Sequence, residues 1–595
     1  MKSFIKHVLA TVVGLLITGI ILSILSIISL VGMASMSTVK PNIEDNSVLV
    51  IKLKGEINER KQEDPFAFLT SGKIDNNLGL DEVLTAIKNA KENDNVKGIY
   101  IEAGSVSSTP AALQEIRKQL EDFKKSGKFI LAYGETFGLG SYYVSSIADS
   151  LVINPQGMID WRGMSMQTIY YKDLLDKIGV KMQVVKVGTY KSAVEPYLLN
   201  EMSEANREQL TVLSNEMWGE ITAAVSKSRK ISIEKLNEYA DSVIAFSDPT
   251  NYKKFKMVDK YAFSDEVPQL IANMMDVDDV QDYNTVTVAE MAAMTENEPK
   301  DPSGDIIAVY YATGEIVQES STTSLSQDDQ IVGEKVIKEL KELADDEDIK
   351  AVVLRVNSPG GSAYASEQIW HQVMNIKAKK PIIVSMGGYA ASGGYYISCA
   401  ADWIVAEPNT LTGSIGIFGM FPEASELINN KIGVHSSVVN TNLHSDFGNI
   451  TRPQTETEHN ILQGYVNRGY ELFTKRCADG RKMKQSKIKE IGEGRVWTGS
   501  HAKQIGLVDQ LGGIEDAIAV AKKRAKVDKC TILTYPAKTS MLENLLNDAM
   551  GTDSYADRKM MELMGDYYHV FSNIKNVQNK SGIQASMPYY IMFNL

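Results

Sequence analysis

The amino-acid sequence repeats itself, and this repeat limits the folds that the chain can adopt. The second half contains IKAVVLRVNSPGGSAYASEQI and then KPIIVSMGGYAASGGYYISCAADWIVAEPNTLTGSIGIFG. The first half contains VKGIYIEAGSVSSTPAALQEI and then KFILAYGETFGLGSYYVSSIADSLVINPQGMIDWRGMSM. Aligning Asp149 with Asp402 gives an offset of 253 residues. The same offset pairs Lys97 with Lys350, Tyr142 with Tyr395, and Pro155 with Pro408. The chain therefore contains two related units.

Both units alternate short β-branched runs with helical patterns. The strand-like runs of the second unit are Val352–Val356, Ile382–Ser385 and Trp403–Ala406. Between the first two runs, Ala365–Ile376 has the pattern of a helix. Such alternation is typical of βαβ units around a mostly parallel sheet. The sequence predicts an α/β protein with two tandem βαβ domains, residues 40–300 and 301–595, and the acidic stretch Glu290–Asp305 as the linker.

Residues 1–39 predict a membrane anchor. No charged residue occurs from Val8 to Val39, and roughly 20 apolar residues are enough for a helix to cross a bilayer. A cleaved signal peptide is the alternative, but its apolar region has only about 7–15 residues. Lys2 and Lys6 precede the stretch, and positive charges favour the cytoplasmic side. We expect a single-pass protein of the inner (cytoplasmic) membrane, with the body after Lys40 on the extracytoplasmic (periplasmic) side.

Charge and cysteine content exclude several classes of function. The formal net charge is −13, and no basic face stands out that could bind the phosphates of nucleic acid. The three cysteines, Cys399, Cys477 and Cys530, are too few and too scattered for a disulfide framework or a zinc site. We expect no nucleic-acid partner.

The two units differ most in two glycine-rich segments. Asn357–Ser362 reads NSPGGS, whereas the matching Gly104–Thr109 reads GSVSST and lacks the glycine pair. Gly387–Tyr396 reads GGYAASGGYY, and its Ser392 matches Leu139 in the first unit. Glycine loops that end consecutive strands meet at one edge of a sheet, where backbone N–H groups can approach a developing negative charge. We predict Ser392 as a nucleophile on an exposed strand-to-helix turn. Ordinary turn glycines and a helix-capping serine are the alternative.

A serine nucleophile needs a base. Among seven histidines, His371 falls inside a predicted helix, and His435 and His444 flank a strand-like run without an evident carboxylate partner. Lys191 lies in KVGTYKSAVEPYL, directly after the strand-like Met182–Val185 and with few charges around it. The second unit has no lysine at the matching place. Each unit would then have kept the half of a site that the other lost.

The segments GTYKSAVEP and MGGYAASGGYYIS resemble the signal peptide peptidase A family, in its long bacterial form with two tandem domains. The resemblance covers nearly the whole chain. It implies a crotonase-like fold related to the Clp protease core, and a Ser–Lys dyad that hydrolyses peptide bonds without metal, nucleotide or other cofactor. It also implies released signal peptides and other hydrophobic peptides as substrates, and a homo-tetramer on the membrane.

The resemblance also assigns a role to each residue of the site. The nucleophile is Ser392, the general base Lys191, the lysine-orienting serine Ser414, and the oxyanion donors are the N–H groups of Gly393 and Gly361, with Gly360 as the alternative to Gly361. A lysine has a pKa of about 10.4, so burial must lower this pKa by roughly 3 units for the amine to act as a base near neutral pH. Serine hydroxyls can orient the amine without adding a negative charge that would raise its pKa again.

Two other functions are compatible with the same sequence. A crotonase-like acyl-CoA hydratase or isomerase also uses two backbone N–H groups, although coenzyme A is cytoplasmic. A non-catalytic peptide scaffold is possible because the first unit has lost its serine. The stretch from Met541 onward is rich in Met, Tyr and Phe, which suits either packing or an apolar peptide-handling surface. The sequence leaves open whether Lys191 and Ser392 meet within one chain or between subunits.

Overall fold

Two similar α/β units and a sheet shared between them form the body of the chain. The computed structural model describes residues 41–61, 77–296, 301, 303–319, 330–537 and 582–587, together with three positions near the N-terminus. Among these described residues, no helix has the length and apolar character needed to cross a membrane. The predicted anchor, Val8–Val39, falls outside them apart from Gly14, Thr18 and Gly19.

The first unit contributes eight strands and ten α-helices to the described part of the chain. Its strands are β1 (Ser47–Asn58), β2 (Leu78–Gly79), β3 (Val96–Ser107), β4 (Phe129–Phe137), β5 (Ser150–Ile159), β6 (Lys181–Val187), β7 (Lys260–Tyr261) and β8 (Asn284–Thr287). Its helices are α1 (Leu80–Glu92), α2 (Pro110–Phe123), α3 (Leu139–Ser145), α4 (Lys172–Ile178), α5 (Glu195–Leu198), α6 (Glu204–Arg229), α7 (Ile233–Asp241), α8 (Asn251–Lys254), α9 (Val267–Met275) and α10 (Val288–Glu296).

The second unit follows the same alternation. Its strands are β9 (Ile306–Thr313), β10 (Glu315–Val317), β11 (Gln330–Val332), β12 (Ile349–Ser358), β13 (Gly360–Ser362), β14 (Ile382–Ala391), β15 (Trp403–Ala406), β16 (Leu411–Gly413), β17 (Ile417–Glu423), β18 (Val496–Thr498), β19 (Gln510–Leu511), β20 (Thr531–Tyr535) and β21 (Gly582–Ser586). Its helices are α11 (Gly333–Asp345), α12 (Ala363–Lys377), α13 (Gly393–Ser398), α14 (Glu456–Arg481), α15 (Gln485–Ile491), α16 (Gly499–Gln504) and α17 (Ile514–Ala525), with a π-helix at Glu426–Ile432.

The repeat in the sequence is a repeat in the structure. Strands β12, β14 and β15 each begin 253 residues after β3, β4 and β5. The first sheet has the parallel order β1-β3-β4-β5-β7, and the second has the parallel order β9-β12-β14-β15-β19. Strand β8 lies beside β1 as β20 lies beside β9. The strands predicted at Ile382–Ser385 and Trp403–Ala406 are therefore confirmed, and so is the helix predicted at Ala365–Ile376.

A third sheet draws strands from both units. Its order is β11-β10-β13-β21-β17-β6, so that β6 of the first unit pairs antiparallel with β17 of the second. The two units also share one apolar core, in which Ile99 and Leu113 of the first unit belong to the same cluster as Val353 and Ile383 of the second. Parallel sheets are apolar on both faces, and every residue of β14 is buried. The shared core fixes one unit against the other.

Part of the predicted linker is helical. The first seven residues of Glu290–Asp305 belong to α10, Val288–Glu296. Apolar side chains explain the helix, because Met291 and Ala292 are buried in the shared core. Residues 297–300 and 302 lie outside the described residues.

A buried ionic cluster joins the two units near the ends of their strands. Arg355 near the end of β12 donates from Nε to Glu59 Oε2 at 2.7 Å, and from Nη2 to Glu115 in α2. Its Nη1 donates to Ser385 Oγ at 2.9 Å. The three charged side chains are almost fully buried. Two carboxylates of the first unit thus depend on one guanidinium of the second for charge compensation.

Replacing Arg355 by Met is expected to destabilise the protein by about 3–5 kcal/mol, because it leaves two buried carboxylates without a counter-charge. The free energy of unfolding from urea titration measures this loss. Lys487→Met is the matched control, since its ion pair with Glu490 is exposed and such pairs contribute at most about 1 kcal/mol. An equal, small loss in both variants would contradict the assigned role of the cluster.

Candidate active site

Ser392 occupies the turn between β14 and α13. Its backbone has φ 56° and ψ −113°, a conformation that costs a non-glycine residue about 1–3 kcal/mol and that clusters at functional sites. The Ser392 N–H donates to Gly413 O at 2.8 Å, which helps to hold the turn. The strand-to-helix turn was predicted correctly, but its exposure was not, because Ser392 is fully buried. Strand β21, which passes beside Gly393, accounts for part of this burial.

The amine of Lys191 reaches Ser392 from the other unit within the same chain. Lys191 Nζ lies 2.8 Å from Ser392 Oγ. It lies 3.1 Å from Ser414 Oγ and 3.2 Å from Ser414 O. All three side chains are fully buried. The structure therefore brings together the predicted nucleophile, the predicted base and the predicted orienting serine.

Burial holds the pKa of the Lys191 amine well below its usual value, because loss of hydration disfavours the ammonium form. Within the described part of the chain, no carboxylate lies close enough to offset this shift. A neutral amine has one lone pair and two N–H groups. Ser414 can accept both N–H groups, which leaves the lone pair free to accept the proton of the Ser392 hydroxyl.

A loop of the second unit holds the backbone directly before Lys191. The Tyr190 N–H donates to Glu493 O at 2.9 Å, and the Thr189 N–H donates to Glu493 Oε2 at 3.0 Å. Gly494 has φ 75°, and a Cβ atom there would lie 2.7 Å from Lys191 Cβ. A side chain at Gly494 would thus displace the lysine. This loop was not predicted from the sequence, although a Gly-Glu-Gly segment at the end of a helical pattern is a typical signal for a turn.

The two glycine loops meet beside Ser392, as their positions at neighbouring strand ends predicted. A Cβ atom on Gly360 would lie 2.7 Å from Gly393 N, so these two residues are in direct contact. The Gly360 N–H is already taken, because it donates to Ser358 Oγ at 3.2 Å. Gly361 lies opposite Ala585 in the antiparallel pairing of β13 with β21. The backbone N–H of Gly393, the residue after Ser392, therefore lies beside the loop that contains Gly360 and Gly361.

Two family models match this chain. The model of peptidase family S49 matches residues 122–278, which include Lys191, and residues 375–528, which include Ser392 and Ser414. These two segments make up just over half of the chain. The chain belongs to peptidase family S49. The model of the Clp protease family matches residues 306–410, which supports a Clp-protease-like α/β fold for the tandem S49 domains.

Relatives from bacteria and a plant agree with this S49 assignment. The protein named Protease 4 of Salmonella typhi is 36% identical over 480 residues, which are 79% of this chain and 76% of that protein. Protease 4 of Haemophilus influenzae is 32% identical over 507 residues, covering 81% and 79%. The chloroplastic serine protease SPPA of Arabidopsis thaliana is 28% identical over 529 residues, covering 88% and 76%. The chain is therefore a serine peptidase of the long, two-domain form.

His371, His435 and His444 are the histidines that could compete with Lys191 as the base. His371 is exposed on α12, and His435 is exposed in a segment without a strand. The expected absence of a carboxylate partner for His444 is wrong, because His444 Nδ1 lies 3.2 Å from Glu458 Oε1. None of the hydrogen bonds among the described residues joins a histidine to Ser392.

Lys191→Met is expected to change how stability depends on pH. Because folding lowers the pKa of the amine, the unfolded chain binds one more proton between the folded-state pKa and about 10.5. The stability of the wild type therefore rises with pH across this window, by up to about 1.4 kcal/mol per pH unit. Met cannot titrate, so the stability of the variant relative to wild type should fall between pH 7 and pH 10. Urea titrations at several pH values measure this, with Lys487→Met as the exposed control, and a pH-independent difference would contradict the buried neutral amine.

Proposed function

We propose that this serine peptidase is a membrane-anchored endopeptidase that cuts released signal peptides and other hydrophobic peptides with a Ser392–Lys191 dyad. The single observation that carries the proposal is the 2.8 Å contact between Lys191 Nζ and Ser392 Oγ in a fully buried site. Burial lowers the pKa of this amine, and a low pKa is what a lysine needs to act as a general base.

The proposed reaction proceeds through an acyl-enzyme. Neutral Lys191 takes the proton of the Ser392 hydroxyl while Oγ adds to the carbonyl carbon of the substrate. The N–H groups of Gly393 and Gly361 stabilise the oxyanion, and Ser414 keeps the amine oriented. The protonated amine then donates its proton to the departing nitrogen. In the second half, Lys191 activates a water molecule that hydrolyses the ester and releases the peptide acid.

The surroundings of the site favour apolar peptides. Next to the turn of Ser392, a buried cluster contains Leu210, Met217 and Tyr389, and the half-buried Met202 packs against it. Methionine side chains are unbranched and adapt to varied apolar partners. This apolar cluster beside the turn of Ser392 supports hydrophobic peptides as substrates, in line with the resemblance to signal peptide peptidase A.

The proposed localisation and assembly rest on the sequence and on that resemblance. The uncharged stretch Val8–Val39 supports a single-pass anchor in the inner membrane, with the catalytic body on the periplasmic side. Released signal peptides remain in the same membrane, so an anchored peptidase would meet them there. The resemblance supports a homo-tetramer, and light scattering of the detergent-solubilised chain would measure its mass.

Two competing functions make different predictions for this site. An acyl-CoA hydratase or isomerase would bind coenzyme A thioesters, whereas membership of family S49 favours peptide bonds. A scaffold would retain its function without a nucleophile. Binding of an acyl-CoA to the full chain, or function that survives Ser392→Ala, would support the respective alternative.

Both Ser392→Ala and Lys191→Ala are expected to lower kcat/KM for a labelled signal peptide by about 10³-fold or more. A serine-directed inhibitor should give a covalent adduct on Ser392 in the wild type, detected by peptide mass spectrometry. Ser398→Ala is the matched control, because this buried serine of α13 donates to Gly394 O and does not touch the dyad. Near-wild-type hydrolysis by Lys191→Ala would place the base elsewhere.

The full chain is expected to stay in the membrane fraction after an alkaline wash, because an apolar helix that spans the bilayer is not held by charge. A chain that begins at Lys40 should appear in the soluble fraction. Sedimentation followed by immunoblotting measures both. Release of the full chain by the wash would contradict the proposed anchor.

A further inference from the structure

The loop of residues 492–495 joins α15 to β18 and contacts both the predicted base and the predicted orienting serine. We call it the latch loop. Its Glu493 O accepts a hydrogen bond at 2.9 Å from the N–H of Tyr190, the residue before the base. Its Arg495 O accepts from the Ser414 N–H at 2.7 Å. One short loop of the second unit therefore holds the backbone next to the base and the backbone of the orienting serine.

Glycines allow the latch loop to touch the lysine segment directly. Gly188 has φ 115°, and a Cβ atom there would lie 2.6 Å from Glu493 O. A Cβ atom on Gly494 would lie 2.7 Å from Lys191 Cβ. A Cβ atom on Gly416 would lie 2.9 Å from Gly494 Cα and 3.2 Å from Lys191 Cδ. Backbone thus encloses the lysine side chain at positions where only glycine leaves enough room.

Glu493 binds the lysine segment through its side chain as well as its backbone. Its Oε2 accepts from the Thr189 N–H at 3.0 Å and from the Thr189 hydroxyl at 3.1 Å. Hydrogen bonds to an ionised carboxylate are stronger than those between neutral groups. The backbone of Glu493 has φ 53°, a left-handed conformation that residues with a Cβ atom rarely adopt. Such strain persists only where surrounding contacts enforce it, and it clusters at functional sites.

We propose that Glu493 is a positioning residue that holds the Lys191 amine against Ser392. It does so through the backbone before the lysine, at Thr189 and Tyr190. This inference rests on the proposed function, in which Lys191 is the base. Among the described residues the amine has serine partners only, so Glu493 acts through its neighbours and does not touch the reacting atoms.

The first experiment uses Glu493→Gly, which separates positioning from folding. Glycine adopts a positive φ without strain, so the free energy of unfolding should stay close to that of wild type, because relief of strain offsets the lost hydrogen bonds. A misplaced base slows the chemical step without weakening the binding of the peptide. We therefore expect kcat for a labelled signal peptide to fall about 10- to 100-fold, with KM unchanged.

Two further variants test whether this loss is specific. Lys482→Gly is the matched control, because Lys482 has the same φ of 53° at the exposed C-terminal end of α14; it should keep the wild-type kcat. Glu493→Gln should restore most of kcat, since an amide oxygen can still accept from Thr189. Wild-type kcat in Glu493→Gly, a raised KM with unchanged kcat, or an equal loss in Lys482→Gly would overturn the proposal.

The second experiment measures the burial of the amine without relying on hydrolysis. Brief treatment with acetic anhydride acetylates accessible amines, and peptide mass spectrometry compares the buried Lys191 with the exposed Lys529. We expect acetylation of Lys191 relative to Lys529 to rise several-fold in Glu493→Gly and to stay at the wild-type value in Lys482→Gly. Equal labelling of Lys191 in wild type and Glu493→Gly would overturn the proposal.

The two experiments together distinguish failure of the proposal from failure of the proposed function. Increased labelling of Lys191 in Glu493→Gly, together with no peptide hydrolysis by the wild type, would overturn the proposed function and leave Glu493 established as the residue that holds the lysine. Hydrolysis that requires Lys191 but is unchanged in Glu493→Gly would overturn the role of Glu493 alone.

Discussion

An ammonium group in water loses most of its hydration when it is buried, and a protein usually offsets that loss with a carboxylate. Lys191 is fully buried, its amine has serine partners only among the described residues, and burial lowers the pKa of this amine. A carboxylate at the same place would stabilise the ammonium form and remove the lone pair that a base requires. Burying the amine without a carboxylate therefore lowers the stability of the fold but leaves the lone pair of the amine available. The rest of the structure has to hold that amine in place.

The docking of the two units provides this support. Lys191 belongs to the first unit and Ser392 to the second, so the 2.8 Å contact exists only while the units stay in register. The shared apolar core, the pairing of β6 with β17, and the buried cluster around Arg355 all fix that register. The first unit has Leu139 at the position of Ser392, and it supplies Lys191 and part of the shared core.

The third sheet joins a glycine loop of the second unit to the strand that leads to Lys191. On one side of β21 lies β13, whose glycines approach Gly393. On the other side lies β17, which follows the Ser414 turn and pairs with β6, the strand that leads to Lys191. Strand β21 lies between the two and accounts for part of the burial of Ser392.

Local patterns in the sequence were sufficient for the repeat, the parallel strands, the two glycine loops, and Ser392 and Lys191 as candidates. Strand periodicity and glycine pairs are properties of neighbouring residues, so they can be recognised without knowing the fold. Three other features were not predictable in this way. They are the loop at Glu493 and Gly494 that holds Lys191, the ion cluster of Arg355, and the position of β21. Each joins residues far apart in the chain, and only the packing of the two units decides which of them meet. The same packing decided that Lys191 reaches Ser392 within one chain, because β6 pairs with β17 and carries the lysine to the serine.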